Sequence, residues 1–217
     1  GGVFIPASNF DFKENDRRLI EWYRNQIKNL KIKVKLNTEI TDLTKIKADE
    51  IVIATGAKAR RLRMPGAERC IDAVDYLNGK EVGKNVVIIG GGLTGCEIAY
   101  DLHRKGKKPV IVEAKQDLMA VRGLCLANSS YLRDYFKAYK VPVYLNSMLT
   151  AIADKKVTIK TKDGEALIPA DDIILAIGYN PAPLAPEDKH VHIVGDAYQV
   201  GNLRTVVWRA WEIAESI

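Results

Sequence analysis

Residues 86–113 constrain this chain more than any other stretch. A run of branched apolar residues, Val86-Val87-Ile88-Ile89, meets Gly90-Gly91-Gly92-Leu93-Thr94-Gly95, then a helical segment, then Val110-Ile111-Val112-Glu113. The order strand, glycine-rich turn, helix, strand, acidic end is that of a βαβ unit suited to holding a dinucleotide. Gly90 permits a tight turn off the strand, Gly92 lets a pyrophosphate approach the backbone, and Gly95 lets the helix pack close to the sheet. The helix start at Leu93 and Thr94 offers unpaired N–H groups and the positive end of a dipole to phosphates. Glu113 lies 18 residues after Gly95, near the spacing of about 20 at which a carboxylate accepts hydrogen bonds from an adenosine ribose. The alternative, an ordinary βαβ turn that binds nothing, has the strand–turn–helix–strand context against it.

A chain of 217 residues with 47% hydrophobic content can bury one large core or two small ones, which excludes disorder. Its longest apolar runs, such as Ile173-Ile174-Leu175-Ala176-Ile177, are strand length, against the roughly 20 residues of a membrane helix. No secretory signal is visible at the N-terminus. Cys70, Cys96 and Cys125, spaced 26 and 29 residues apart, fit neither a disulfide framework nor a metal or iron–sulfur pattern. A reducing cytoplasm is therefore expected, and no metal site. The net charge of +6 has scattered sources: lysines at 28, 31, 33 and 35, and Lys58, Arg60, Arg61 and Arg63. Neither cluster is interleaved with stacking aromatics, so both read as solvated faces rather than a nucleic-acid groove. The second could instead face a partner domain. Neither nucleic acid nor membrane is expected as a partner.

Periodicity orders the rest. Residues 1–12 lack a sustained period, whereas Leu19, Ile20, Tyr23, Ile27 and Leu30 recur at helical spacing and predict a helix over 14–30. Ile32, Val34 and Leu36 alternate with lysines, which predicts a half-exposed strand. A short strand over 50–54 ends at Thr55-Gly56, and turn chemistry follows at Met64-Pro65-Gly66. The fingerprint helix should run from about 93 to 105 and stop at Gly106. A second helix within 118–139, a strand over 141–145, and an antiparallel meander at 149–153 and 156–161 returning through 168–171 come next. A strand over 173–177, a proline-rich link, a strand over 191–194, Gly195-Asp196 and a helix from about Asn202 close the chain.

Three short motifs join the fingerprint in order: Ala54-Thr55-Gly56, Ala176-Ile177-Gly178 with Pro181 following, and Gly195-Asp196. Together they resemble the two-dinucleotide flavoprotein reductases, in which an NAD(P)H domain is inserted into an FAD domain. The opening Gly1-Gly2, the Lys13-Glu14 helix entry, Val34-Lys35-Leu36-Asn37 and the loop from Gly56-Ala57 to Pro65-Gly66 are most similar to one group. That group is the C-terminal reductase half of the 2,4-dienoyl-CoA reductase, 2-enoate reductase and trimethylamine dehydrogenase family of NADH:flavin oxidoreductases. The implied fold is α/β: a Rossmann-like NAD(P)-binding domain over 82–178, inserted in an incomplete FAD-binding domain. The latter's first segment, 1–81, lacks its N-terminal βαβ unit, and its C-terminal segment is 179–217. The resemblance implies that Gly56 and Gly178 mark the two crossings between domains, where a small residue lets the backbone pass close to a cofactor. It also implies that Asp196 holds the ribityl chain of FAD, although an aspartate there also suits a helix start.

By the same resemblance the chain is a fragment. The family's first glycine fingerprint, its FMN-binding barrel and its iron–sulfur cysteines have no counterpart here. The parent enzyme would pass hydride from NADH to FAD, and then electrons through an iron–sulfur centre to FMN for reduction of an enoate or dienoyl-CoA type of substrate. The cofactors, NAD(H) here and FAD in the intact parent, supply that chemistry, so no catalytic side chain is expected. His103, His190 and His192 read as satisfied or exposed. Glu97 matches a carboxylate near the nicotinamide in related reductases, or equally complements the helix dipole. Glu113 favours NADH over NADPH, a preference that Lys115 weakens. Two other readings stay open: a dinucleotide-binding module without turnover of its own, and another Rossmann enzyme such as a methyltransferase, which Gly195-Asp196 argues against.

Overall fold

A computed structural model describes residues 1–121 and 123–217. Their contacts divide the chain into two units, one formed by Gly1, residues 3–20 and 61–178, the other by Gly2, residues 21–60 and 179–217.

The first unit is built on a five-stranded parallel sheet in the order Ile71–Asp72, Asp172–Leu175, Asn85–Ile89, Lys108–Val112, Val143–Tyr144. The central strand, Asn85–Ile89, is apolar from Val86 onward because it is covered on both faces, as parallel strands are. Val86 and Ile88 point into a cluster with Ile98 and Leu102 of the fingerprint helix and Phe136 of the helix Leu126–Ala138. Val87 and Ile89, one step out of phase, pack on Val157, Ile159 and Ile168. These belong to an antiparallel meander, Met148–Ala153, Lys156–Thr161 and Gly164–Pro169. Each such branched side chain taken fully from water contributes about 1.5–3 kcal/mol. The fingerprint helix, Leu93–Arg104, stops where Gly106 adopts φ +74° and the Lys107 N–H returns to the Leu102 carbonyl at 3.0 Å, a Schellman ending that favours glycine.

The second unit holds a parallel pair, Ile51–Ile53 beside Val191–Ile193, and an antiparallel pair, Ala57–Ala59 beside Tyr179–Pro181. Its cluster is small: Ile53, Ile193 and Ala197 with Leu43, Ile51, Ala185 and Val191 around them. The terminal helix, Leu203–Ser216, starts with a capping box in which Asn202 and Thr205 satisfy each other's backbone N–H. Trp208 and Trp211 on this helix are exposed.

The helix expected over 14–30 forms as Glu14–Asn29, while Phe4–Ala7 makes a short helix where irregular chain was expected. Ile32, Val34 and Leu36 do not form the expected strand and are exposed. Their alternation meets the pattern requirement, but no strand among the described residues pairs with them, and an unpaired strand has no ladder to hold it. No helix among these residues is long and apolar enough to cross a membrane.

Candidate functional site

The glycine loop sits at the C-terminal edge of the parallel sheet, where open α/β sheets bind ligands. Gly90 leaves the central strand with φ +108°, and a methyl group on it would fall 2.3 Å from the Ala176 carbonyl oxygen of the neighbouring strand's exit. Gly95 is required for packing, since a Cβ there would lie 1.9 Å from the Gly90 oxygen. Gly92 is different. It has φ −68° and ψ −179°, an extended conformation open to any residue, and a Cβ on it would meet nothing within 4 Å. No contact among the described residues explains a glycine at that position.

Gly92 is also the N-cap of the fingerprint helix and brings no side-chain hydrogen bond to its end. The Leu93, Thr94 and Gly95 amides at the start of the helix therefore lack the cap that Ser, Thr, Asp or Asn would supply. They present N–H groups and a partial positive charge at the open face of Gly92.

Glu113 ends the adjacent strand and reaches back under the loop. Its Oε2 accepts the Gly91 N–H at 2.5 Å and its Oε1 the Lys115 N–H at 2.7 Å. The carboxylate thus clips the loop from within, at the C-terminal end of the strand Lys108–Val112. Beneath it, Cys96 donates to the Gly91 carbonyl at 3.4 Å. Burial, with Glu113 adding to it, pushes the Cys96 thiol up to about 12, so Cys96 is an inert neutral packing group.

Glu97 lies in the second turn of the helix, only 8% exposed. Its Oε1 pairs with Lys13 Nζ at 2.7 Å, and Lys13 also lies 3.7 Å from Asp16. Burial raises the Glu97 carboxyl above its ordinary value, and the Lys13 ammonium opposes that rise. Lys13 is the partner that sequence spacing does not supply: it stands 84 residues away, and its sole signal was the helix entry at Lys13-Glu14.

In the second unit, the motifs around Thr55-Gly56 and Gly195-Asp196 meet at the C-terminal ends of the paired parallel strands. The Val194 N–H donates to the Ile53 carbonyl at 2.9 Å. Thr55 Oγ1 donates to the Ala182 carbonyl at 2.8 Å, and the Ala182 N–H to the Gly56 carbonyl at 3.0 Å. Asp196 Oδ1 accepts the Gly201 N–H at 3.1 Å, just ahead of the terminal helix. Gly178 closes the first unit in a left-handed conformation. His190 and His192 both hydrogen-bond Glu50, at 3.0 and 2.8 Å, and His103 bonds the Tyr135 hydroxyl at 2.8 Å. All three histidines are satisfied by neighbours. No group among the described residues could hold a metal ion.

Residues 26–205 match the family model described as pyridine nucleotide-disulphide oxidoreductase. The whole chain aligns with 34% of the length of cinnamate reductase from Clostridium sporogenes at 37% identity, and with 36% of NADH oxidase from Thermoanaerobacter brockii at 28% identity. It therefore spans about a third of these relatives. The solved structure of 2-naphthoyl-CoA reductase in complex with 2-naphthoyl-CoA superposes on all of it with a TM-score of 0.86 and 26% identity, over 34% of that chain.

Proposed function

Because the chain belongs to the pyridine nucleotide-disulphide oxidoreductase family, we propose that it is the nicotinamide-dinucleotide-binding portion of a flavin-dependent NADH oxidoreductase. The carrying observation is Gly92: an unstrained glycine facing open space beside an uncapped helix start. The missing side chain and the free amides together fit a pyrophosphate lying against the backbone. The Leu93, Thr94 and Gly95 amides would hold the phosphates, Glu113 the adenosine ribose, and Glu97 with Lys13 would stand toward the reacting end. When bound, NADH supplies a hydride and FAD accepts it. The chain's own residues bind, orient and shape the charge around these cofactors.

In this reading residues 82–178 form the NAD(H)-binding domain, and 1–81 and 179–217 contribute to an FAD-binding domain. Thr55, Gly56, Gly178, Gly195 and Asp196 are its remnants on the flavin side. The parent protein would add the first glycine fingerprint and a barrel with FMN and an iron–sulfur centre. It would reduce an unsaturated acid or acyl thioester, as the names of cinnamate reductase and 2-naphthoyl-CoA reductase suggest for those relatives. The three free cysteines fit a reducing cytoplasm.

The test is Gly92→Val. The new side chain has room and an allowed backbone, so thermal unfolding should stay close to wild type while NADH affinity, read by fluorescence titration, disappears. Gly95→Ala is the control that should damage the fold itself. Unchanged NADH affinity in Gly92→Val would remove this loop from any nucleotide site.

A further inference from the structure

The loop after Glu113 is tied to the glycine loop and, from the other side, to the helix Leu126–Ala138, which also packs on the fingerprint helix through Leu132 and Phe136. Leu118 and Met119 are buried, at 5% and 3% exposure. The Met119 N–H donates to the Gly91 carbonyl at 2.7 Å, with Met119 itself in the left-handed region at φ +51°. The Leu118 side chain lies directly under Gly91, 2.6 Å from where a Cβ would stand. Gly91 is therefore gripped on its N–H by Glu113, on its carbonyl by Met119 and from below by Leu118.

A left-handed conformation at a non-glycine residue is strained and persists only where the surroundings hold it. Arg133, from the helix Leu126–Ala138, provides that hold. Its Nε and one terminal nitrogen donate to the two oxygens of Asp117 at 3.1 and 2.9 Å, and the same terminal nitrogen donates to the Leu118 carbonyl at 2.5 Å. The planar fork fixes orientation as well as distance, which an ammonium does not do. Leu132 and Phe136, on the same helix, are anchored in the core, so the guanidinium is presented from a rigid element.

We infer that Arg133 is a positioning residue for nucleotide binding: through Asp117 and Leu118 it holds Met119 against Gly91 and so sets the glycine loop. This rests on the functional reading above. Arg133 acts through the loop backbone, by way of Asp117 and Leu118, so its effect should fall equally on NADH and NADPH, unlike that of a ribose-reading carboxylate.

The experiment compares wild type, Arg133→Lys and Arg133→Met by NADH and NADPH titration and by amide hydrogen exchange without nucleotide. Arg133→Met should weaken both nucleotides by about tenfold, and Arg133→Lys, which keeps the charge without the fork, by less. Exchange at the Gly91 and Met119 amides should quicken in Arg133→Met while strand Asn85–Ile89 stays protected. Affinity within about twofold of wild type, or faster exchange spread evenly through the sheet, would overturn the inference. If the wild type itself binds neither nucleotide, the functional reading fails, and the exchange pattern still decides whether Arg133 sets the loop.

Discussion

Replacing Lys13 by Met should destabilise the chain by an amount that depends on pH in a calculable way. Lys13 Nζ and Glu97 Oε1 are 2.7 Å apart, with side chains 21% and 11% exposed. At an effective dielectric near 20, Coulomb's law gives a gross attraction of about 6 kcal/mol, much of it offset by desolvation of both ions. Without Lys13, the buried carboxylate can escape its penalty by taking up a proton. From an ordinary value of 4.5, that costs about 1.4 kcal/mol per pH unit, so the loss at pH 7 is capped at about 3.4 kcal/mol. At pH 5 the same ceiling is about 0.7 kcal/mol. The Glu97 carboxyl is raised in the folded protein, so its ionised form weakens the fold above the folded value, and stability returns as pH falls toward 4.5. Urea unfolding of wild type and Lys13→Met at pH 5 and 7 reads the difference. We expect a loss of about 2–3 kcal/mol at pH 7, shrinking to under about 1 at pH 5, and near-recovery in Lys13→Met/Glu97→Gln. A loss that is the same at both pH values, or a double variant no better than the single, would refute the account.

Glu113→Gln should keep an acceptor for the Gly91 N–H but lose the charge, so the ratio of NADPH to NADH dissociation constants should narrow by about tenfold; an unchanged ratio would show that Glu113 clips the loop without reading the ribose. The Glu50 pair with His190 and His192 should make stability pH-dependent. The Glu50 hydrogen bond, then its charge, raises His190 above 6.5, with Asp188 and Asp49 adding to the rise, and the two imidazoles lower Glu50 below 4.5. The His190 contribution is complete below pH 6.5 and lost as pH rises through the folded value, while that of Glu50 is lost as pH falls through its own lowered value. In Glu50→Gln the NMR titration of His190 should move down toward 6.5; a midpoint that stays put would remove Glu50 as the cause.

The glycine loop was legible in the sequence because its parts are local. The apolar run, the glycines, the helix and Gly106 follow one another within one βαβ unit, and the structure keeps that order. The meander was legible from alternation for the same reason. Lys13 against Glu97, and Arg133 against Asp117 and Leu118, were not, since side chains meeting across elements leave no periodic trace. The spacing shows Glu113 as an acid at the strand end but not that its two oxygens accept the backbone N–H groups of Gly91 and Lys115. At 32–36 the pattern was a strand's, but pairing is decided by what lies alongside.

The central strand has neighbours from very different distances along the chain. Val87 lies beside Val110 on one side and Ile173 on the other, so the two ladders close loops of about 23 and 86 residues, and the longer costs about 1.2 kcal/mol more in chain entropy. Folding should therefore zip the fingerprint βαβ unit early and seat Asp172–Leu175 late. Gly90 takes its final backing from the Ala176 carbonyl, which arrives with that last strand. On a ribosome, the loop would be spelled out in full well before it could acquire its working shape, and a nascent chain stalled short of residue 176 would carry the glycines without the wall they turn against.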